Sequence, residues 1–341
     1  MQASCFRQRV ICCRRRVACW LYNGLRMLPN WVFWVVFNAF VLLMLVLDLG
    51  VFHRKSHVVR FKEAIAWSFV WVSLAALFAL LVYLFGHHMV PNPTRPNHEL
   101  ALEFVTGYLI EESLSVDNLF VFLLIFRYFQ VDRSHQHEVL FWGILGALVM
   151  RAAFILGGIT LINRLHWFIY LFGAFLVYSG IRLFRPPETE IHPEKNPVLK
   201  LFRRLVPISE QYEGRRFFVK RGARWIATPL AVVLIVVETT DVMFATDSIP
   251  AIVAVTRDAF IVYTSNVFAI LGLRSLYFAL AGMMEVFHYL HYGLSLILIF
   301  IGLKMLGSEF FRIPIDVALS VVGGILVTSV AASLVFPRRT A

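Results

Sequence analysis

Six carboxylates stand inside two otherwise apolar stretches: Glu111, Glu112 and Asp117 in GYLIEESLSVDNLFVFLLIF, and Glu238, Asp241 and Asp247 in VVLIVVETTDVMFATDSIPAIVAV. A carboxylate in hydrocarbon is costly, so each must be protonated, hydrated, paired or bound to a cation. Only two deep cations, Arg151 and Arg274, face them, so mutual pairing leaves acids over. Such an excess points to an ion or proton pathway rather than to a closed network of salt bridges. The nearby polar side chains, Ser115, Asn118, Thr240, Thr246, Ser248 and Asn266, all carry oxygen. Carboxylates with amides and hydroxyls suit a hard divalent ion: magnesium, calcium or manganese. Thiol ligation is not offered at that depth, because Cys5, Cys12, Cys13 and Cys19 all precede the first apolar stretch and lack zinc-ligand spacing. His166 and His288 read as interfacial residues, and Met243 reads equally as a soft contact that favours manganese over calcium or as core packing.

Helical geometry restricts how these acids can meet. Six residues turn a straight helix by about 240°, so Glu111 and Asp117 would not point the same way. Glu238 and Asp241, three apart, share a face. Convergence of all the acids therefore requires broken helices. Pro250, three residues past Asp247, is placed to free carbonyls one turn earlier, and Ser115 and Asn118 to support a comparable break in the first stretch.

The elements that carry these residues are membrane spans. The chain is 59% apolar with 32 Phe and only 16% charged residues, outside the soluble range. A span needs about 20 mainly apolar residues. Nine stretches qualify: 31–50, 64–85, 100–126, 139–162, 167–184, 225–255, 260–284, 289–306 and 317–336. The expected fold is all-α and polytopic. The net charge of +11 is concentrated between spans, which argues against nucleic acid as a partner. Residues 185–224 hold Arg185, Lys195, Lys200, Arg203, Arg204 and further cations, the mark of a cytoplasmic loop. That places the N-terminus outside and the C-terminus inside, in the inner membrane. The Arg-rich residues 1–30 disagree with this rule and read as an extension, with Met27 a candidate start; no signal-peptide pattern is present. Within the loop, PVLKLFRRL from Pro197 sets Val198, Leu201, Phe202 and Leu205 opposite cations, as an interfacial or a solvated linker helix would.

An internal duplication runs through the chain. Glu111 precedes Asp117, and Asp241 precedes Asp247, by the same interval; Arg151 and Arg274 follow in the next helix of each unit; His166 and Gly180 match His288 and Gly302. Three spans per unit is an odd number, so the second unit must be inverted, the plan of many secondary transporters. The expected organisation is two leading spans at 31–99, a first repeat at 100–184, the basic loop at 185–224, an inverted repeat at 225–308, and a last span with a basic tail at 309–341.

The words GYLIEESLSVDNLFVF, ATPLAVVLIVVETTDVMFATDSIPAI and TSNVFAILGLRSLYF resemble the TerC family of integral membrane proteins, and the likeness extends over roughly 31–337. The resemblance implies a role in metal, alkaline or tellurite stress, with manganese export the activity attached to some members. Its functional acids would fall on Glu111, Asp117, Glu238, Asp241 and Asp247, with Glu112, Asn118, Thr240, Ser248, Asn266, Arg151 and Arg274 in support. Between the paired acids of the second helix the family's Leu-Ser is Thr239-Thr240 here, which leaves the ion preference open. Tellurite is an anion, and an acid-lined site would repel it.

The leading expectation is a divalent-cation exporter, coupled to protons because carboxylates bind either, with no prosthetic group. The competing expectation is a membrane-bound redox modulator or a scaffold that docks stress proteins on the basic loop, without transport. An intramembrane aspartyl hydrolase lacks its Gly-x-Gly-Asp word, so no enzyme is expected.

Overall fold

The computed structural model describes residues 29–52, 61–90, 95–165, 167–184, 196–209, 211–221, 224–281, 289–308 and 313–335. The leader with its cysteines and arginines, and His166 and His288, lie outside them. Among the described residues ten helices are formed: α1 Asn30–Phe52, α2 Phe61–Met89, α3 Asn97–Tyr128, α4 Arg133–Arg164, α5 Phe168–Leu183, α6 Pro197–Leu205, α7 Pro229–Val253, α8 Ala259–Ala281, α9 Leu290–Leu306 and α10 Ile315–Val335. The loop before α7 adds an element that the all-α expectation did not contain. FVKR and RWIA, rich in β-branched and aromatic residues, pair as an antiparallel hairpin, β1 Phe218–Arg221 with β2 Arg224–Ala227.

The chain is an all-α, multi-pass membrane protein in its apolar part. Among the described residues six helices are long and apolar enough to cross a membrane: α1, α2, α4, α7, α8 and α10. Helices α5 and α9 are shorter apolar helices, and α3 is long but carries Glu103, Glu111, Glu112 and Asp117. Burial separates lipid-facing helices from central ones. Of its span window, α8 buries 83%, whereas α10 buries 17% and exposes Val317, Val327, Leu334 and Val335. Every backbone group in such a helix is satisfied internally, so apolar side chains can face lipid freely.

Contacts divide the chain into two compact units. One holds α1, the end of α2 and the start of α3. There Asn97 turns the corner, its Oδ1 accepting from His87 N at 2.8 Å while its Nδ2 donates to the Leu84 carbonyl at 3.2 Å. The second unit holds the remainder. Its core joins Ile110 and Leu114 of α3, Ile155 and Ile159 of α4, Leu176 of α5, Ile249 and Ile252 of α7, and Leu294 and Ile301 of α9.

Local chemistry sets the helix limits that matter for the site. Helix α3 ends where Gln130 takes φ 51° and Val131 N reaches back to the Phe126 carbonyl, a left-handed cap at some cost for a residue with a side chain. Helix α7 begins with Pro229 at its first position, where the missing N–H is not needed. Asp258 caps α8, its Oδ1 accepting from Phe260 N and Ile261 N at 3.0 and 3.1 Å. Asn196 caps α6 in the same way through Val198 N and Leu199 N.

Two packing relations fix the arrangement of the second unit. Gly143 meets Val237, Gly146 meets Glu238 and Gly158 meets Ile249, so α4 and α7 run parallel, side by side. Helices α5 and α9 run antiparallel at backbone contact. A Cβ on Gly180 would lie 2.8 Å from the Ser295 carbonyl and 3.0 Å from Ile299 N; one on Gly302 would lie 2.7 Å from the Gly173 carbonyl and 2.9 Å from Val177 N. The two contacts are related by one offset of 122 residues, which carries Gly180 onto Gly302, Gly173 onto Ser295 and Val177 onto Ile299.

Candidate functional site

The chemistry gathers on Arg151. This arginine of α4 is buried, and its Nη1 is ion-paired with Glu111 of α3. The guanidinium also reaches Asp241 of α7, Nη2 to Oδ1 at 3.4 Å, and donates from Nη1 to Asn266 Oδ1 of α8 at 3.3 Å. Four helices thus converge on one cation. Asn266 is held for this task, since its Nδ2 donates to the Val262 carbonyl at 2.8 Å and leaves the oxygen for Arg151.

Helical register extends this cluster into a polar stripe. Ser115 and Asn118 follow Glu111 at four and seven residues, and Ser248 follows Asp241 at seven, so each set lies on one face of its helix. All are buried. Glu111 Oε2, Asp241 Oδ2, Ser115 Oγ, Asn118 Nδ2 and Ser248 Oγ have no hydrogen-bond partner among the described residues. An orphaned polar atom at such a site is costly, and carboxylate and hydroxyl oxygens are the donor set of a hard cation or of water.

The other expected residues go elsewhere. Helix α7 is continuous through Pro250 and runs on to Val253, so the proline does not break it. Asp247 therefore points away from Asp241, to α5, where Ser179 Oγ donates to its Oδ1 at 2.9 Å and the Arg182 charge acts on it. Glu238 faces α4 at Gly146, where any Cβ would strike its carboxylate. Glu112 is hydrogen-bonded to Tyr108, one turn back on its own helix. Thr240 spends its hydroxyl on the Val236 carbonyl at 2.7 Å. Arg274 is buried on α8. The backbone of Asp117 is helical, and its side chain lies outside the described residues. Among the described residues no group of three His, Cys, Asp or Glu side chains is close enough to hold a metal ion. Among the described residues, unbroken helices turn Glu112, Glu238 and Asp247 to neighbours other than those of Glu111 and Asp241.

Sequence reasoning missed Ser179, Gly146 and Asn196. Gly143 and Gly146, in GILGALVMR, were a readable signal, since small residues let helix backbones approach in a membrane. No local signal marks Ser179. Asn196 before Pro197 is a helix-start signature, and its Nδ2 also donates to Thr239 Oγ1 at 2.7 Å, next to Glu238.

Residues 97–341 match the integral membrane protein TerC family. An uncharacterised membrane protein of Myxococcus xanthus is 51% identical over 307 residues, covering 90% of this chain and 93% of its own. Alx of Escherichia coli K12, named as a proposed membrane-bound redox modulator, is 47% identical over 296 residues, 86% of this chain and 91% of its own. An uncharacterised membrane protein of Rickettsia bellii is 39% identical over 302 residues, 89% of this chain and 97% of its own. No solved structure matches. With its acidic helices inside the matched region, the chain belongs to the TerC family of integral membrane proteins.

Proposed function

We propose that the protein is a secondary transporter of the inner membrane that exports a hard divalent cation, manganese foremost, in exchange for protons. The observation that carries this reading is the meeting of Glu111 and Asp241, from separate helices, on one guanidinium, with an oxygen of each left without a protein partner among the described residues. In this proposal Arg151 takes the position between Glu111 and Asp241 that a metal would otherwise hold. Binding requires Arg151 to withdraw, so that Glu111 and Asp241 close on the ion with Ser115, Asn118, Ser248 and Asn266 beside them. Asp117, Glu238 and Asp247 then act along the path. Metal and protons compete for the same carboxylates, which gives exchange by alternating access.

The nine-span, inverted-repeat plan, with the N-terminus out and the C-terminus in, belongs to the same proposal. The reciprocal glycine contacts of α5 and α9 support it, since an antiparallel pair related by one offset is what an inverted duplication produces. A test is manganese efflux from proteoliposomes bearing the purified chain, with a pH gradient imposed. Efflux that follows the gradient and is lost in Glu111→Gln and Asp241→Asn is expected. Undiminished efflux in both variants, or none in the unaltered protein, overturns the proposal.

The names of the Alx relatives favour a second reading, a membrane-bound redox modulator; a scaffold for stress proteins on the basic loop, without transport, is its companion. Thiol chemistry would have to use Cys5, Cys12, Cys13 or Cys19. Replacing all four by serine separates the readings: unchanged protection of cells against alkaline stress removes the thiol version. Loss of protection on deleting residues 188–211, with efflux retained, establishes the scaffold.

A further inference from the structure

Helix α6 and the β1–β2 hairpin have no task in ion binding, yet they are a folded structure with a defined chemical face. Helix α6 runs antiparallel to the first half of α7. Asn196 at its start is bonded to Thr239, and Pro207 just past its end accepts from Ala227 N at 2.9 Å. Leu199 is buried, while Val198, Leu201 and Leu205 form an exposed apolar stripe, Leu205 at 72% exposure. Lys200, Arg203 and Arg204 stand exposed on the opposite side of the same helix. At nine residues the helix is too short to cross a membrane, so the stripe is not that of a span.

The hairpin repeats this combination. Lys220 pairs with Trp225 across the strands, and Phe218, two residues from Lys220, shares their face. Trp225 is 61% and Phe218 47% exposed. The segment that joins the two elements is pinned to the ends of long helices: Tyr212 Oη donates to the Phe129 carbonyl, just past α3, at 2.7 Å, and Arg215 Nε meets Glu138 near the start of α4 at 3.0 Å. Helix ends of a membrane protein lie at headgroup level.

We infer that α6 and the hairpin together form a docking surface for anionic phospholipid headgroups of the bilayer in which the chain itself sits. Cations alone would suit a nucleic acid or an acidic protein equally well. Here they alternate with exposed Leu, Phe and Trp, the pairing that places aromatic and aliphatic groups at the acyl boundary and cations among phosphates. The one acid among the described residues of this segment, Glu213, is consumed by Arg221. This surface stands whether or not the protein moves metal.

The test uses the full chain in nanodiscs of phosphatidylcholine alone or mixed with phosphatidylglycerol, read by amide hydrogen exchange of α6 and the hairpin. Phosphatidylglycerol should slow exchange in both segments, and raised salt should reverse it. The variant K200Q/R203Q/R204Q should lose the slowing, with headgroup affinity falling by roughly fivefold for each cation removed. Unchanged protection of α4 and α7 shows that this variant is folded; if it is not, Trp225→Ala with Phe218→Ala supplies the same readout. Equal exchange in the two kinds of disc overturns the proposal. So does slowing that persists in folded variants, or slowing that inorganic phosphate reproduces in discs of phosphatidylcholine, which marks a free-anion site.

Discussion

Arg151 holds Asp241 from a neighbouring helix, Nη2 to Oδ1 at 3.4 Å, while the same guanidinium is committed to Glu111. Removing the cation leaves two buried carboxylates with nothing opposite them. Arg151→Gln should therefore destabilise the protein by about 3–5 kcal/mol, measured as the loss of folded protein on heating in detergent. Adding Glu111→Gln to that variant should restore part of the loss, whereas two independent sites would add their costs.

Gly146 lies against the Glu238 carboxylate. Because that group is the far end of a flexible side chain, Gly146→Ala should change thermal stability by less than about 1 kcal/mol. If Glu238 serves the ion path, manganese efflux should fall in the same variant. Normal efflux removes Glu238 from the path.

Gly180 and Gly302 meet rigid backbone instead. Each Gly→Ala change should cost about 1–3 kcal/mol through overpacking, and the two costs should be alike because the contacts are counterparts. Gly323→Ala in α10, where a Cβ meets nothing within 4 Å, is the control and should be neutral or slightly stabilising. Thermal unfolding of the three variants checks this.

Asn196 supports α6 twice, as its cap and through Thr239. Asn196→Ala should cost about 1 kcal/mol, and amide exchange within α6 should accelerate while that of α8 does not.

Much of the fold could be read in advance. Long apolar runs bounded by charge announced every large helix, since length and apolarity alone decide whether a segment can enter hydrocarbon. The convergence of Arg151 on acids was also legible, because a buried cation in an apolar helix needs a partner. What misled was Pro250. A proline suggests a break, but here the helix runs on through it to Val253. Asp241 and Asp247 consequently serve different neighbours, as a turn of about 240° requires. The hairpin escaped notice because eight residues in a charged loop give a short periodic signal, and Ser179 because a lone serine in an apolar helix carries none.

The glycine seam between α5 and α9 bears on how such a molecule could move. Interlocked side chains must climb out of their grooves before helices can shift, but peptide groups in direct touch present a smoother bearing. Slip along this track would have to lift the side chains seated on the glycines, Ile299 on Gly180, Val177 on Gly302 and Leu306 on Gly173, but no bulk on the glycines themselves, so the two helices shift most cheaply where these small residues lie.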